Sequence, residues 1–401
     1  MNREAPGQVI QQARLRHGAA LVAAAVAVTL AVTACQVAAA GPARSHTAGP
    51  AQSHTAVQPD PSPSAAALMR GQPFGGKPRI MIVGDSVTEG SSGDYTWQFR
   101  LYEHLLADGL RPHMVGPYGW LHNNVTNAEK SYSYADPNFE HANDANWGMA
   151  LFREKNAIGR KVATYRPDYL LVLLGLNDLF WYGLSQQVMA SNLASFIAAA
   201  RAARPHIRIV LGLIPPDIHD RKPAFAASVA SYNRTISSTA ARLSTAESPI
   251  AVALDGSGIK VSADLWDGTH PNANGEVKIA AAFADVLASA FHLGKPYPKP
   301  FPVLPIGPLV HPQLTARPSS TARQAVLSWT LAPGANDYVI YVKDVTRGDT
   351  GFTRLPYPLQ ASKDPWTAGL LTSGDTYEFK VQACKTFDCG AFSNQASVTA
   401  P

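Results

Sequence analysis

Between residues 79 and 291 short unbroken apolar runs alternate with longer stretches whose apolar residues return every three or four positions. The runs fall at 80–83, 113–116, 169–175, 207–214 and 250–254, and the stretches near 97–108, 149–164, 188–203, 224–244 and 275–290. Phe283, Val286, Leu287 and Ala290 illustrate the helical spacing. A strand that is apolar throughout needs cover on both faces, and strands alternating with helices supply it when the sheet is parallel. The pattern therefore predicts an α/β unit over 77–294, with helices on both sides of a parallel sheet. In such sheets functional groups gather just beyond the carboxyl ends of the strands, so the loops there are where chemistry is expected.

The rest of the 401-residue chain follows other rules. Charged residues make up 16% against a typical share of about 25%, while 46% are hydrophobic, which excludes a disordered polyelectrolyte. The net charge of +5 is spread without a run of Lys and Arg longer than two, so a nucleic-acid partner is not expected. Arg3, Arg14 and Arg16 precede an uncharged apolar stretch over 19–32, shorter than the roughly 18 residues that span a bilayer. That is the make-up of an export signal. Its end, Val32-Thr33-Ala34-Cys35, resembles the lipobox of bacterial lipoproteins, which implies a signal over 1–35 and a lipid anchor on Cys35 as the only membrane attachment. Ordinary secretory cleavage near Ala34 or Ala40 is the alternative; either places the mature chain outside the cytoplasm, secreted or as a cell-surface lipoprotein. Residues 36–76 hold a tandem repeat, 41–48 and 49–56, and then a Pro/Ser-rich run, a composition that reads as a tether. His46 and His54 repeat with it and carry no ligand shell.

Four loops of the α/β unit carry residues with chemistry. Gly84-Asp85-Ser86-Val87-Thr88-Glu89-Gly90 follows the first strand; it lacks the ending of a phosphate-binding loop and the Gly-x-Ser-x-Gly of a nucleophile elbow. Asp267-Gly268-Thr269-His270 precedes the last helix, and a carboxylate three residues before a histidine in a turn can accept from Nδ1 while Nε2 faces a cleft. Gly175-Leu176-Asn177-Asp178 ends the third strand, where an Asn amide can donate to a developing oxyanion. Asn146-Trp147-Gly148 opens a helix, and a glycine there lets its N–H approach a substrate. Each loop taken alone also has a plain structural reading as a cap, a turn or a packing site.

Together, in this order, the blocks Gly84-Asp85-Ser86, Gly148, Gly175-Leu176-Asn177-Asp178 and Asp267-Gly268-Thr269-His270 resemble those of the SGNH, or GDSL-type, hydrolases over roughly 79–291. The resemblance implies a flavodoxin-like three-layer α/β/α fold with Ser86 as nucleophile, His270 as general base and acid, and Asp267 orienting it. It also implies an oxyanion hole of the Ser86 and Gly148 N–H groups and the Asn177 amide. Gly116 also follows a strand, but Gly148 suits one helix and one strand before Asn177 better. Asp85 and Asp178 are expected to be structural, each bonding its own loop. Within the superfamily the blocks look most like carbohydrate acetylesterases. The segment 117–146, with Trp120, His122, Asn123, Asn124, Tyr132, Tyr134, Phe139 and His141, either lines a sugar cleft or packs on itself. Asp217, His219 and Asp220 are read as cleft rim and not as a metal site.

A Pro-rich linker over 295–312 leads to 313–401, where the period changes to strand alternation at 325–329, 338–342 and 377–381, as in a small β-sandwich. Trp329, Leu370, Gly374 and Tyr377 make it similar to a fibronectin type III domain with its tyrosine corner. Cys384 and Cys389 are expected to form a disulfide across the last hairpin, as an exported chain permits. The combined expectation is a serine esterase acting on small acyl esters, acetyl groups on polysaccharide among them, with neither cofactor nor metal. A lipase-like hydrolase, an acyltransferase using the same acyl-enzyme, and an inactive carbohydrate-binding protein are the alternatives. The complete set of Ser86, Asn177, Asp267 and His270 argues against the inactive protein.

Overall fold

In the first unit five strands lie parallel: β1 (Arg79–Gly84), β2 (His113–Met114), β3 (Tyr169–Leu173), β4 (Arg208–Gly212) and β5 (Ile250–Ala253), in the order β2-β1-β3-β4-β5. This is seen in a computed structural model that describes residues 77–254 and 258–401; the signal, Cys35 and the tether lie outside the described residues. The described residues belong to one compact unit. Helices α1 (Ser86–Glu89), α2 (Trp97–Ala107), α3 (Ile158–Tyr165), α4 (Leu176–Phe180), α5 (Gln186–Ala203), α6 (Pro223–Leu243) and α7 (Ala273–Phe291) fill the intervals.

Successive strand residues point to opposite faces, and the two faces sort accordingly. Met81, Val83, Leu170, Val172, Ile209 and Leu211 pack with Ile158, Val162, Phe196 and Tyr232 of α3, α5 and α6. Ile80, Ile82, Leu171, Leu173 and Val210 pack with Trp97, Leu101, Phe283 and Leu287 of α2 and α7. The α/β/α fold is thus the one expected, with the doubly wound strand order that reverses between β1 and β3. A crevice at such a reversal is where these sheets bind ligands.

The predicted helix over 149–164 is broken. Leu151–Glu154 forms one turn, capped by the Asp178 carboxylate, which accepts from the Leu151 and Phe152 amides at 2.7 and 2.9 Å. A turn then leads into α3. Asp178 therefore reaches beyond its own loop to a neighbouring element, because β1 alone separates β3 from the two-residue strand Asp144–Ala145 that leads to this turn.

The C-terminal unit is a β-sandwich. One antiparallel sheet holds β6 (Leu314–Pro318), β7 (Ala325–Trp329) and β9 (Trp366–Ala368); the other holds β8 (Asp337–Asp344), β10 (Thr376–Lys385), β11 (Asp388–Phe392) and β12 (Ala396–Thr399). Leu327, Trp329, Tyr338, Ile340, Phe379 and Val381 meet between them. The Tyr377 hydroxyl accepts from the Thr372 amide at 3.0 Å, as a tyrosine corner does. Leu371 and not Leu370 faces the core; Leu370 takes a left-handed φ of 61° and stands exposed. Cys384 and Cys389 are paired in register across β10 and β11 and joined as a disulfide.

Candidate active site

Gly84, the last residue of β1, pairs with Ala145 on one side and Leu173 on the other. The chain leaving β1 therefore enters α1 between the loop at 146–150 and the loop at 174–177. Asp85 caps α1 by accepting from the Val87 amide at 3.1 Å, which puts Ser86 at the first helical position. Ser86 and Asn177 are both nearly buried. Across from them, His270 Nε2 lies 2.9 Å from Ser86 Oγ and Nδ1 lies 2.7 Å from Asp267 Oδ2. An ionised carboxylate can only accept, so Nδ1 carries the hydrogen and Nε2 is left to accept from the serine hydroxyl.

The turn that carries Asp267 closes on itself. Asp267 Oδ1 accepts from the amides of Thr269 and His270 at 2.9 and 2.8 Å, and the Trp266 amide donates to the His270 carbonyl at 2.9 Å. Burial pushes the Asp267 carboxyl up, but the His270 hydrogen bond and charge, with those two amides, outweigh it and hold the group below its usual range. Asp85 behaves in the opposite sense. Its burial, helped by the negative charge of Asp178, prevails over the Val87 amide and His270 and raises it to about 7. Asp178 is also raised, by burial, against the amides it caps.

Asn177 Nδ2 donates one hydrogen to the Met149 carbonyl at 3.0 Å, which leaves the second for another acceptor. It also ties α4 to the loop that holds Gly148. Gly148 has φ +74° with open space where a Cβ would stand, whereas a Cβ on Gly116 would fall 2.1 Å from the Asn143 carbonyl oxygen. Gly116 thus has a packing reason of its own, and Gly148 has a conformational one.

Two indoles with no role in the sequence reading complete the site. Trp147 stacks on His270 at 4.5 Å between centroids, and Trp266 stacks on it at 5.3 Å. His122 in turn stacks on Trp147 at 4.1 Å, so four rings are linked by stacking contacts through the site. The signal available in the sequence is that each tryptophan directly precedes a block residue, Gly148 or Asp267. Within 117–146, Tyr134 and Phe139 bury against Leu121 of the same segment and against Phe99 and Tyr102 of α2. Asp217 accepts from the amide and Nδ1 of His219, while Asp220 accepts from the Asp217 amide, so these side chains close their own turn. That turn meets the loop carrying Asp267 and His270 where the Ile218 amide donates to the Gly268 carbonyl.

A family model, GDSL-like Lipase/Acylhydrolase, matches residues 82–277, and the chain carries a hydrolase domain of that kind there. Solved structures similar to the chain include an acetyl esterase mutant with acetate ion, at 23% identity and TM-score 0.45. A carbohydrate esterase family 3 protein from Talaromyces cellulolyticus has the same identity and score. Each alignment covers 54% of this chain and 98% of the other. An Fn3-like protein from Clostridium thermocellum aligns at 25% identity and TM-score 0.21, over 24% of this chain and 95% of its own. No curated protein matches the chain.

Proposed function

We propose that the protein is an exported serine esterase that cleaves small acyl esters, acetyl groups on polysaccharide being the substrate class, through a covalent acyl-enzyme. The observation that carries this reading is the continuous chain of hydrogen bonds from Ser86 Oγ through His270 to Asp267. In the first step His270 Nε2 takes the proton of Ser86 Oγ as the oxygen bonds the ester carbonyl carbon. The oxyanion lies among the Ser86 N–H, at the start of α1 where no intrahelical acceptor exists, the Gly148 N–H and the free hydrogen of Asn177 Nδ2. Collapse breaks the bond to the alcohol oxygen, which leaves with the proton from His270. Water then gives a proton to Nε2 as it attacks the acyl carbon; the carboxylic acid departs and Ser86 regains its proton. Asp267 keeps the hydrogen on Nδ1 throughout and stabilises the imidazolium.

The small acyl group belongs to the same reading and rests on the resemblance of the four blocks to carbohydrate acetylesterases. A cavity of about 10 Å³ lies beside Ser86, between Val87, Gly90, Trp147 and His270. Export and the Cys35 lipid anchor belong to the same reading, resting on the sequence of 1–35. The test is hydrolysis of p-nitrophenyl acetate, butyrate and octanoate beside acetylated xylan by the purified protein and by Ser86→Ala. Acetate release that falls as the acyl chain lengthens and vanishes in Ser86→Ala is the expected result. Unchanged turnover in Ser86→Ala removes the nucleophile, and preference for octanoate removes the small-acyl reading.

A further inference from the structure

The C-terminal β-sandwich touches the α/β unit at the loop that carries Asp267 and His270. The turn between β10 and β11 makes the contact. The Phe387 amide donates to the Trp266 carbonyl at 3.1 Å, and Asp388 Oδ2 accepts from Asn272 Nδ2 at 2.8 Å. Buried Lys385 pairs with Asp94, and its ammonium lies 4.8 Å from the centre of the Trp266 ring. Trp266 and Asn272 bracket the Asp267–His270 pair in the chain, so the hairpin grips the catalytic loop at both ends. Through Trp266, Lys385 thus touches a ring that is itself stacked on His270.

We propose that Lys385 and Asp388 are positioning residues for the reaction, holding Trp266 and Asn272 so that His270 stays in register with Ser86; this rests on the catalytic roles proposed above. Lys385, paired with Asp94, and Asp388, held by Asn272, are both buried at this contact, and each acts on a residue flanking the Asp267–His270 pair. The Cys384–Cys389 bond encloses 385–388, so Lys385, Phe387 and Asp388 are presented by one closed turn. Asn272 adds a link to the other end of the loop. Its Oδ1 caps α7 by accepting from Asn274 and Gly275, while its Nδ2 reaches Asp388 and the Ala263 carbonyl.

The experiment compares kcat and KM on p-nitrophenyl acetate for the full chain, Asp388→Ala, Lys385→Met, Asn272→Ser and Ser86→Ala. Turnover is counted per Ser86 titrated to completion with a fluorophosphonate. A small displacement of a catalytic group can cost about 100-fold in rate. Asp388→Ala and Lys385→Met should therefore each lower kcat by about 10- to 100-fold, with KM within about twofold. Asp388→Asn keeps an acceptor and should recover most of the loss. Asn272→Ser keeps a capping oxygen but loses the amide, and with it the bond to the Ala263 carbonyl as well, so it should lose at least as much as Asp388→Ala, and the double variant should lose no more than Asn272→Ser alone, because the shared contact is removed only once. Full kcat per titrated site in Asp388→Ala and Lys385→Met, with Ser86→Ala inactive, overturns the inference and leaves the nucleophile standing. Activity in Ser86→Ala overturns the proposed function itself. Should Asp388→Ala fail to fold, Asn272→Ser approaches the contact from the other domain, and an unchanged kcat there is equally decisive.

Discussion

At the scale of single residues the site sets two carboxyls in opposite states. Asp267 is held ionised, and its value lies in fixing the hydrogen on Nδ1. In Asp267→Asn the amide would offer a hydrogen to Nδ1 and turn the ring to the tautomer that points N–H at Ser86. A fall in kcat of about 10⁴-fold with little change in melting temperature is expected, by the behaviour of triads whose carboxylate is neutralised; a fall under tenfold would mean the carboxylate does not set the tautomer. Asp85 is raised to about 7 by burial, helped by the charge of Asp178. The folded protein therefore keeps a proton that the unfolded chain, with its ordinary value of 3.8, gives up. The sign follows: this group's contribution is fully present below about pH 4 and is lost as pH rises to about 7. Asp85→Asn retains an acceptor for the Val87 amide and cannot ionise, so its melting temperature relative to the unaltered protein should climb between pH 4.5 and 8. A difference that stays flat across that range would place the Asp85 proton elsewhere.

At the scale of elements, Asp178 and Asn177 act as a pair that fixes the loop holding Gly148. One caps the turn beginning at Leu151 and the other holds the Met149 carbonyl. Asp178→Ala leaves two amides without an acceptor and should cost about 1–2 kcal/mol, the usual loss for a helix cap, together with a fall in kcat. Denaturant unfolding and steady-state kinetics on the same preparation would show both; stability lost with kcat intact would make the cap purely structural. This element also marks what the sequence could reveal. The strands were legible because a buried parallel strand is apolar at every position, and the four blocks stood at their carboxyl ends as expected. The break after Glu154 was not legible, because Lys155-Asn156-Ala157 contains no Pro or Gly; nor was the start of the turn, whose cap sits on Asp178 in another element. Asp178 is structural, as expected of its sequence, but its partners were not legible, since its local sequence suggests an Asx turn and only the strand order brings it beside Leu151. Trp147 and Trp266 were visible as residues but not as a stack, which needs the fold to bring 147, 266 and 270 together.

At the scale of the whole molecule, the docking of the two domains was invisible in the sequence, because Lys385 and Asp94 are 291 residues apart and each looks like an ordinary surface charge. The interface can be disturbed at a point remote from the loop that carries Asp267 and His270. Gly334, in a turn of the sandwich, has φ +77°, and a Cβ there would stand 2.0 Å from the Ser92 carbonyl oxygen of the α/β unit, next to Asp94, while its own carbonyl accepts from Asn124 Nδ2 at 2.8 Å. Gly348 has nearly the same φ, +79°, with nothing within 4 Å of its Cβ position. An alanine at either site costs about 1–2 kcal/mol of backbone energy; at 334 alone it also drives the domains apart. If the sandwich and the α/β unit unfold together, Gly334→Ala should split a single calorimetric transition into two and lower kcat, whereas Gly348→Ala should shift the transition slightly and leave kcat as it was. Equal effects from both would mean that the backbone alone is being strained and that the two domains do not depend on each other. A loss confined to Gly334→Ala would show that a surface far along the chain from Ser86 governs how well the serine is served by its histidine.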